Sequence, residues 1–221
     1  MEKVIRSGQP LPRDTGSKDE NEKQTREFTL AMANIGQLSA HQVVEGLDLR
    51  GVQSMLDLGG GPGTYAMEFA KKNGQMHLRL FDQPEVIAIA EQRIREAGFE
   101  ERISTLAGDA FEDDIGSGYD LAFLSNFIHI LSLEDIVKIF KKIGRTLNPE
   151  GRLVVKDFFA NEVRTGPQFA TQFALNMLLN TKSGNTHTFS EINQAFAEAG
   201  FRWLNSFEVG QHSTVIVAVK T

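Results

Sequence analysis

The stretch LDLGGGPGTYA at residues 56–66 places an acid, Asp57, just before four glycines in five positions. Only a backbone that turns tightly or comes very close to a ligand needs that much glycine. A P-loop requires a Gly-Lys-Ser/Thr ending, and this loop has no lysine. A dinucleotide loop requires G-x-G-x-x-G, but counting from Gly59 and Gly61 the third glycine is replaced by Thr64. The remaining pattern is D-x-G-x-G-x-G, whose acid can face an ammonium group but would repel a pyrophosphate.

Two further acids follow the next two predicted strands. Asp82 ends the strand at residues 76–82, and Asp109 follows Gly108 at the end of the strand at residues 102–109. Ligands of open α/β sheets bind beyond the carboxyl ends of the strands, so these acids are expected to share one site. A carboxylate at position 82 suits two ribose hydroxyls, as it also does in nicotinamide-binding folds. Asp109 has a plainer alternative, since it could cap a helix or lie in a loop.

His129 follows the fourth predicted strand, and Asp157 lies in LVVKDFF, the fifth. One chemistry open to such a histidine is the activation of a hydroxyl. A phenol, with a pKa of about 10, is a weak nucleophile at neutral pH, and an imidazole with a pKa of about 6.5 can take its proton. Asp157 can accept a hydrogen bond from the other ring nitrogen and fix the tautomer. Alternatively, His129 caps the helix that begins near Ser132 or lines the pocket without moving a proton.

No metal site is predicted. The five histidines are dispersed without H-x-x-x-H spacing, and the chain contains no cysteine. The acidic run at residues 112–114 is interpreted as a solvated turn.

His187 lies in a loop that could face the pocket, and it is a reserve candidate for the base.

Alternating strands and helices would position these residues. Strands are predicted at 52–58, 76–82, 102–109, 119–126, 152–159, 201–209 and 213–220. Helices are predicted at 28–38, 39–50, 64–72, 84–98, 132–147, 167–180 and 188–200, with a turn at 148–151. The order implies a doubly wound, mostly parallel sheet that ends in an antiparallel pair.

Composition excludes several classes of function. A net charge of −6 argues against sequence-independent nucleic-acid binding, which requires basic surface. No stretch approaches the ~18 continuous apolar residues of a membrane span, and the polar N-terminus has no signal-peptide core. A soluble, cytoplasmic protein is therefore expected.

The glycine pattern resembles motif I of the class I S-adenosylmethionine-dependent methyltransferases. With FDQP, GDAF and FIHILSLEDIVKIF, residues 20–221 resemble the small-molecule O-methyltransferases of the plant caffeate and bacterial hydroxyneurosporene types. The resemblance implies a Rossmann-like, seven-stranded, mostly parallel sheet with an antiparallel last strand and helices on both faces. It implies S-adenosylmethionine as cofactor and S-adenosylhomocysteine as product. The implied cofactor-binding residues are Asp57, Gly59, Gly61, Gly63, Asp82, Gln83, Gly108, Asp109, Ala110 and Ser125.

The same resemblance assigns the acceptor side. His129 matches the family's general base, and Asp157 stands where the plant enzymes carry an orienting Glu. EFTLAM is similar to the family's substrate-closing helix, and helix 167–180 is interpreted as a lid. The implied substrate-binding residues are Phe28, Met32, Phe173, Asn176 and Met177, whereas Phe158 and Phe169 are interpreted as ordinary core residues.

Several positions depart from the family pattern. A second orienting Glu is replaced by Thr186, and a cofactor-contacting Lys by Ser125. The family's N-terminal dimerisation domain is not recognised, so residues 1–25 are predicted to be a linker or arm and residues 26–221 the methyltransferase domain. Two alternatives follow: the chain is a truncated domain, or a homodimer or a partner subunit takes the place of the dimerisation domain.

These features predict methyl transfer to a hydroxyl of an apolar small molecule, aromatic or polyene- or polyketide-like. C-methylation by the same family is the nearest alternative. A protein that binds the cofactor without methyl-transfer activity is the second. A nicotinamide oxidoreductase is disfavoured by Thr64 and Asp57.

Overall fold

A computed structural model of the chain describes Val4, Arg6 and residues 18–221. The strands are β1 (Ser54–Leu58), β2 (His77–Asp82), β3 (Ile103–Ala107), β4 (Tyr119–Ser125), β5 (Leu147–Asp157), β6 (Phe201–Val209) and β7 (Ser213–Lys220). The helices are α1 (Lys18–Glu45), α2 (Thr64–Lys72), α3 (Pro84–Glu96), α4 (Leu133–Thr146), α5 (Gln168–Asn180) and α6 (Phe189–Glu198), with a 3₁₀ turn at Ile128–Ile130.

The strands form one seven-stranded sheet in the order β3-β2-β1-β4-β5-β7-β6. Neighbours from β3 to β5 are parallel, and β7 runs antiparallel to both β5 and β6. The predicted fold class is therefore confirmed. The strand order reverses between β1 and β4, which is where an open sheet of this type leaves a crevice for a ligand.

Continuous apolar runs fill the central strands because helices cover both faces of the sheet. On one face, apolar side chains of α1, α2 and α3 pack against β1, β2 and β4. On the other face, α4 and α6 pack against the same sheet. Side chains alternate along a strand, so Asp57 points towards the face of α2 whereas Leu56 and Leu58 belong to the core of α4 and α6.

The N-terminal helix corrects the predicted helix boundaries. A single helix covers Lys18–Glu45 where two helices, at 28–38 and 39–50, were predicted. It is continuous because the buried residues Ala33, Ala40 and Val44 lie on one face, at spacings of seven and four. Residues 18–25 of the predicted linker form the first turns of this helix. The rest of that linker lies outside the described residues, apart from Val4 and Arg6.

The predicted turn at 148–151 is absorbed into β5 as an irregularity. Tyr119 pairs with Leu147 and Leu121 pairs with Arg152, so the intervening residues of β5 bulge out of the ladder. Glu150 takes a positive φ of 59° in this bulge. The predicted irregularity at these residues is thus present, but it is a bulge within β5 and not a turn between two elements.

Candidate active site

The glycine loop connects β1 to α2 in the crevice. The backbone N–H groups of Gly59 and Gly60 donate to the carbonyl of Phe81, at 2.8 and 3.3 Å, and tie the loop to β2. Gly59, Gly61 and Gly63 have φ values of 69°, 55° and 78°, a region that favours glycine. A Cβ at Gly61 would have no atom within 4 Å, so the loop presents bare backbone to open space there.

Asp82 ends β2 and fastens this loop. One carboxylate oxygen accepts from the N–H of Gly61 at 2.8 Å, and the other accepts from the N–H of Gln83 at 2.7 Å. Burial raises the pKa of Asp82, and these two N–H groups only partly offset it. Each oxygen keeps a lone pair for a further donor, which suits a pair of ligand hydroxyls.

Asp57 lies beneath the loop rather than at its surface. A Cβ at Gly60 would come within 2.9 Å of the Asp57 carboxyl carbon, so the loop backbone rests directly on the acid. Burial, with the nearby charge of Asp82, raises the pKa of Asp57 to about 7, against a lowering by the N–H of Ala66. The expectation that Asp57 faces an ammonium group stays a prediction.

Three buried polar atoms at this site have no hydrogen-bond partner among the described residues: Asp57 Oδ2, Thr64 Oγ1 and Ser125 Oγ. Buried polar atoms are usually hydrogen-bonded, so each unsatisfied one needs an explanation. All three lie where β1 and β4 meet the start of α2. Together with the open backbone at Gly61, they fit a polar, amino-acid-bearing ligand such as the implied cofactor.

The third acid plays a different part. One oxygen of Asp109 accepts from the N–H of Phe111 at 2.7 Å, and its own N–H donates to Asp113 at 2.8 Å. The side chain is exposed and closes a turn, which is the plainer of the two interpretations of Asp109. Gly108 donates to the carbonyl of Asp82 at 3.0 Å and thereby joins this turn to the site, and Ala110 is buried.

His129 and Asp157 form a buried pair at the carboxyl ends of β4 and β5. His129 Nδ1 lies 2.8 Å from Asp157 Oδ1, which also accepts from the N–H of Phe158 at 2.8 Å. The other oxygen accepts from the N–H groups of Ile128 and His129, at 3.1 and 3.3 Å. Although burial acts to raise the pKa of Asp157, the charge and hydrogen bond of His129 and the N–H of Phe158 lower it below its usual value.

An ionised Asp157 can only accept, so His129 donates from Nδ1 and leaves Nε2 as the basic nitrogen. Nε2 has no hydrogen bond to any residue in the described part of the chain. The predicted contact between these two side chains is therefore present. His187 lies behind this pair, where its Nε2 donates to the carbonyl of Leu131 at 3.2 Å, and burial lowers its pKa.

Aromatic rings pack around the ring of His129. Its ring meets Phe173 edge-on at 4.9 Å and stacks with Phe158 at 6.1 Å between centroids. Phe169 joins both, and His212 stacks on Phe169 at 4.2 Å. The interpretation of Phe158 and Phe169 as core residues was wrong, because both are half-buried beside the base rather than inside either core.

The other predicted acceptor contacts are only partly gathered. Met177 is buried, but Asn176 is exposed and accepts from Asn180 one turn further along α5. Phe28 is 66% exposed on α1, and Met32 is half-buried there. Of the predicted acceptor residues, the structure thus brings Phe173 into contact with His129 and leaves Phe28 and Asn176 outside that cluster.

Lys156 was missed by the sequence reasoning. It is 3% exposed, and its ammonium donates to Asn126 Oδ1 at 2.9 Å. Asn126 takes a positive φ of 54° at the end of β4. The signal that could have identified it is a lysine inside the otherwise apolar run LVVKDFF, where a charged side chain is unusual.

No group of three potential metal ligands occurs within the described ranges, Val4, Arg6 and 18–221. Over the same ranges, none of the helices combines the length and apolarity that a membrane crossing requires.

Comparison with known proteins agrees with this geometry. A family model described as O-methyltransferase domain matches residues 13–202. The chain is 29% identical to 3-hydroxy-5-methyl-1-naphthoate 3-O-methyltransferase of Streptomyces sahachiroi, over 86% of this chain and 55% of that protein. It is 26% identical to L-tyrosine C(3)-methyltransferase of Streptomyces lavendulae, over 82% of this chain and 50% of that protein.

Among solved structures, human N-acetylserotonin methyltransferase in complex with SAM superposes with a TM-score of 0.87. It is 27% identical, and the match covers 99% of this chain and 65% of that one. The chain spans about half the length of the curated relatives it matches.

Proposed function

The chain belongs to the O-methyltransferase domain family, and on that premise we propose that it transfers a methyl group from S-adenosylmethionine to a hydroxyl of a ring-containing small molecule. The observation that carries the proposal is the 2.8 Å contact of His129 Nδ1 with a buried Asp157, which leaves Nε2 free beside an aromatic cluster. The named relatives, one of which is a naphthoate O-methyltransferase, support an aromatic acceptor.

His129 would act as the general base. Asp157 holds the ring with the proton on Nδ1, so Nε2 can accept the proton of an acceptor hydroxyl as the oxygen becomes a nucleophile. The imidazolium that forms is stabilised by the charge of Asp157, whose four N–H donors keep it ionised and fixed in place. When bound, S-adenosylmethionine supplies an electrophilic methyl group that needs only correct placement.

The cofactor would be held by the glycine loop and Asp82. The free lone pairs of Asp82 suit ribose hydroxyls, and Gly61 lets a ligand approach the backbone. The partnerless oxygens of Asp57, Thr64 and Ser125 suit the polar amino-acid end. Gln83, Gly108, Asp109 and Ala110 lie on the adjoining turns and are proposed to flank the adenosine.

The acceptor would lie against Phe158 and Phe173, which stand 4.8 Å apart at centroids next to His129. Such rings favour a flat, apolar molecule because aromatic pairs prefer edge-on or offset stacking at these separations. Met177 would extend this surface, whereas contacts by Phe28, Met32 and Asn176 require the acceptor or a partner to reach α1 and the outer face of α5. A homodimer, or a partner subunit in place of the dimerisation domain, stays a prediction.

The test is methyl transfer with a panel of hydroxylated aromatic compounds, followed as S-adenosylhomocysteine release and as the mass of the product. We expect His129→Ala to lower the rate by roughly 10²- to 10⁴-fold. His77→Ala, which changes an exposed histidine on β2, should leave the rate unchanged and serves as the matched control.

Each alternative has its own outcome. Full activity in His129→Ala would contradict the role of the base. Binding of S-adenosylhomocysteine without turnover of any acceptor would favour a cofactor-binding protein, and binding of NADH in its place would favour an oxidoreductase. Magnetic-resonance assignment of the new methyl to carbon would favour C-methylation, the reaction named for the tyrosine-specific relative.

A further inference from the structure

A buried positive charge stands between the two halves of the site. Lys156 is 3% exposed, and among the described residues its ammonium donates one hydrogen bond, to the neutral amide oxygen of Asn126. An ammonium has three donors, and buried charges are normally paired with an opposite charge. Across the described part of the chain, no carboxylate lies within ion-pair distance of it.

The adjacent acid forms no ion pair with this ammonium, although the charge of Lys156 helps to lower the pKa of Asp157. Successive residues of a strand point to opposite faces, so Asp157 turns towards His129 while Lys156 turns towards α2. All four close donors to Asp157 come from Ile128, His129 and Phe158, and none comes from Lys156. Within the described ranges the ammonium thus has no carboxylate in an ion pair with it.

Two aromatic rings and a serine hydroxyl surround the Lys156 ammonium. The ammonium lies 5.6 Å from the ring centre of Phe158 and 5.9 Å from that of Tyr65, distances at which ring faces attract a cation weakly. Its register partner on β4 is Ser125, whose buried hydroxyl has no partner among the described residues. A donor and a hydroxyl of this kind, side by side, are the groups that bind a carboxylate.

We propose that Lys156, with Ser125 beside it, forms a carboxylate-binding subsite between the glycine loop and the His129 pocket. The inference deepens the proposed function and rests on it. The carboxylate has two sources, the amino-acid end of the cofactor and an acidic group on the acceptor. Asn126 positions the ammonium, since its own N–H donates to the Lys156 carbonyl at 2.9 Å while its side chain accepts from Nζ.

The experiment compares ligand pairs that differ by the carboxylate. The full chain and its Lys156→Met variant are titrated calorimetrically with S-adenosylhomocysteine and with 5′-methylthioadenosine, which lacks the amino-acid end. They are also titrated with salicylate and with phenol. Met keeps the approximate length of the side chain and removes its charge. The matched control is Lys138→Met, which changes an exposed lysine of α4.

We expect at least a tenfold loss of affinity for one carboxylate ligand, with no change for its carboxylate-free counterpart. A loss confined to S-adenosylhomocysteine assigns the subsite to the cofactor, and a loss confined to salicylate assigns it to the acceptor. Equal affinities of both chains for all four ligands, or no binding of either carboxylate ligand by the unaltered chain, overturn the subsite. Methyl transfer by the unaltered chain, measured alongside, shows whether the proposed function stands when the subsite fails.

A folding defect would not obscure the result. Removing an unpaired buried charge should leave the melting temperature unchanged or higher, whereas a purely structural residue would lower it when replaced. Lys156→Gln, which is neutral but still polar, provides a second variant with the same expected loss of carboxylate affinity.

Discussion

The two fully buried aspartates at the carboxyl edge of the sheet, Asp57 on β1 and Asp157 on β5, differ in how their oxygens are satisfied. Asp157 accepts four hydrogen bonds, and its pKa is lowered. Asp57 has one oxygen without a partner among the described residues, and its pKa is raised to about 7. Burial acts on both in the same direction, so the neighbouring charges, His129 beside Asp157 and Asp82 beside Asp57, together with the hydrogen-bond donors decide the outcome.

The difference distinguishes a preassembled part of the site from a part that a ligand completes. The pair of Asp157 and His129 is held by the chain itself and needs nothing further to fix the base. The region around Asp57 contains unsatisfied atoms and an open glycine backbone, so its stabilisation depends on what binds. Substitutions at the two aspartates should therefore have opposite effects on the free protein.

The largest effect is expected for Asp157→Asn. An amide has one accepting oxygen in place of two, so its NH₂ group would face N–H donors and the His129 tautomer would be lost. We expect methyl transfer to fall by roughly 10²- to 10⁴-fold. The free energy of unfolding should fall by about 3 kcal/mol, because a buried network is broken. Steady-state rates and chemical denaturation measure the two losses, and S-adenosylhomocysteine affinity serves as the control. Retained activity would show that Asp157 does not orient the base.

The next effect is expected for Asp57→Asn, and it has the opposite sign. With a pKa of about 7 in the folded chain and an ordinary value of 3.8 when unfolded, Asp57 binds more protons in the folded state between these values. The free energy of unfolding therefore falls as pH rises from about 4 to about 7. The variant removes this penalty and should be more stable than the unaltered chain at pH 8, by a few kcal/mol.

Denaturation at pH 5 and pH 8 tests this prediction, because the stabilisation should be larger at pH 8. Asp157 has the reverse signature: its lowered pKa contributes stability above its ordinary value, and that contribution is lost as pH falls through the folded value. A stabilisation by Asp57→Asn that is the same at both pH values would contradict a raised pKa at Asp57.

The smallest effects are expected in the glycine loop. There the neighbours Gly60 and Gly61 separate an effect on folding stability from an effect on ligand binding. Gly60→Ala would place a Cβ 2.7 Å from Leu80 and 2.9 Å from the Asp57 carboxyl, so we expect a loss of about 1–3 kcal/mol in the free energy of unfolding. Gly61→Ala meets no atom and has only its positive φ to strain, at about 1 kcal/mol.

For the ligand the order of these two variants should reverse, since Gly61 faces the open side. Thermal melts and titration with S-adenosylhomocysteine measure both properties on the same samples. If Gly61→Ala binds as tightly as the unaltered chain, the ligand does not approach the loop at that residue.

The sequence predicted best what depends on local spacing. The glycine loop, the acids after the second and third strands, and the alternation of strands and helices needed only neighbouring residues and general rules of α/β sheets. The break predicted inside α1 was wrong, because Ala33, Ala40 and Val44 continue one buried face that becomes apparent only when α2 and α3 lie beside it. Residues 148–151 change the direction of the backbone as predicted, but β5 pairs with β4 on both sides of them.

The acceptor side was less accessible to prediction because it is assembled from distant positions. Phe158 follows β5, Phe169 lies in α5 and His212 lies in the β6–β7 turn, and their stacking has no sequence pattern. Lys156 lies beside Asp157 in an otherwise apolar run, and only the paired strands reveal that it has no carboxylate partner among the described residues. His129 and Asp157 were found through the family resemblance, and the hydrogen bond between them follows from the packing of β4 against β5.

The position of β7 links the site to the order in which the chain is synthesised. β7 follows β6 in sequence but lies between β5 and β6, and Asp157 is paired with Thr214. A ribosome makes the N-terminal segments first. One edge of β5, the strand that carries Asp157, therefore stays unpaired until β7 has been synthesised. A chain stalled after β6 would leave that edge unpaired, and its free N–H and C=O groups would be available to pair with other nascent chains.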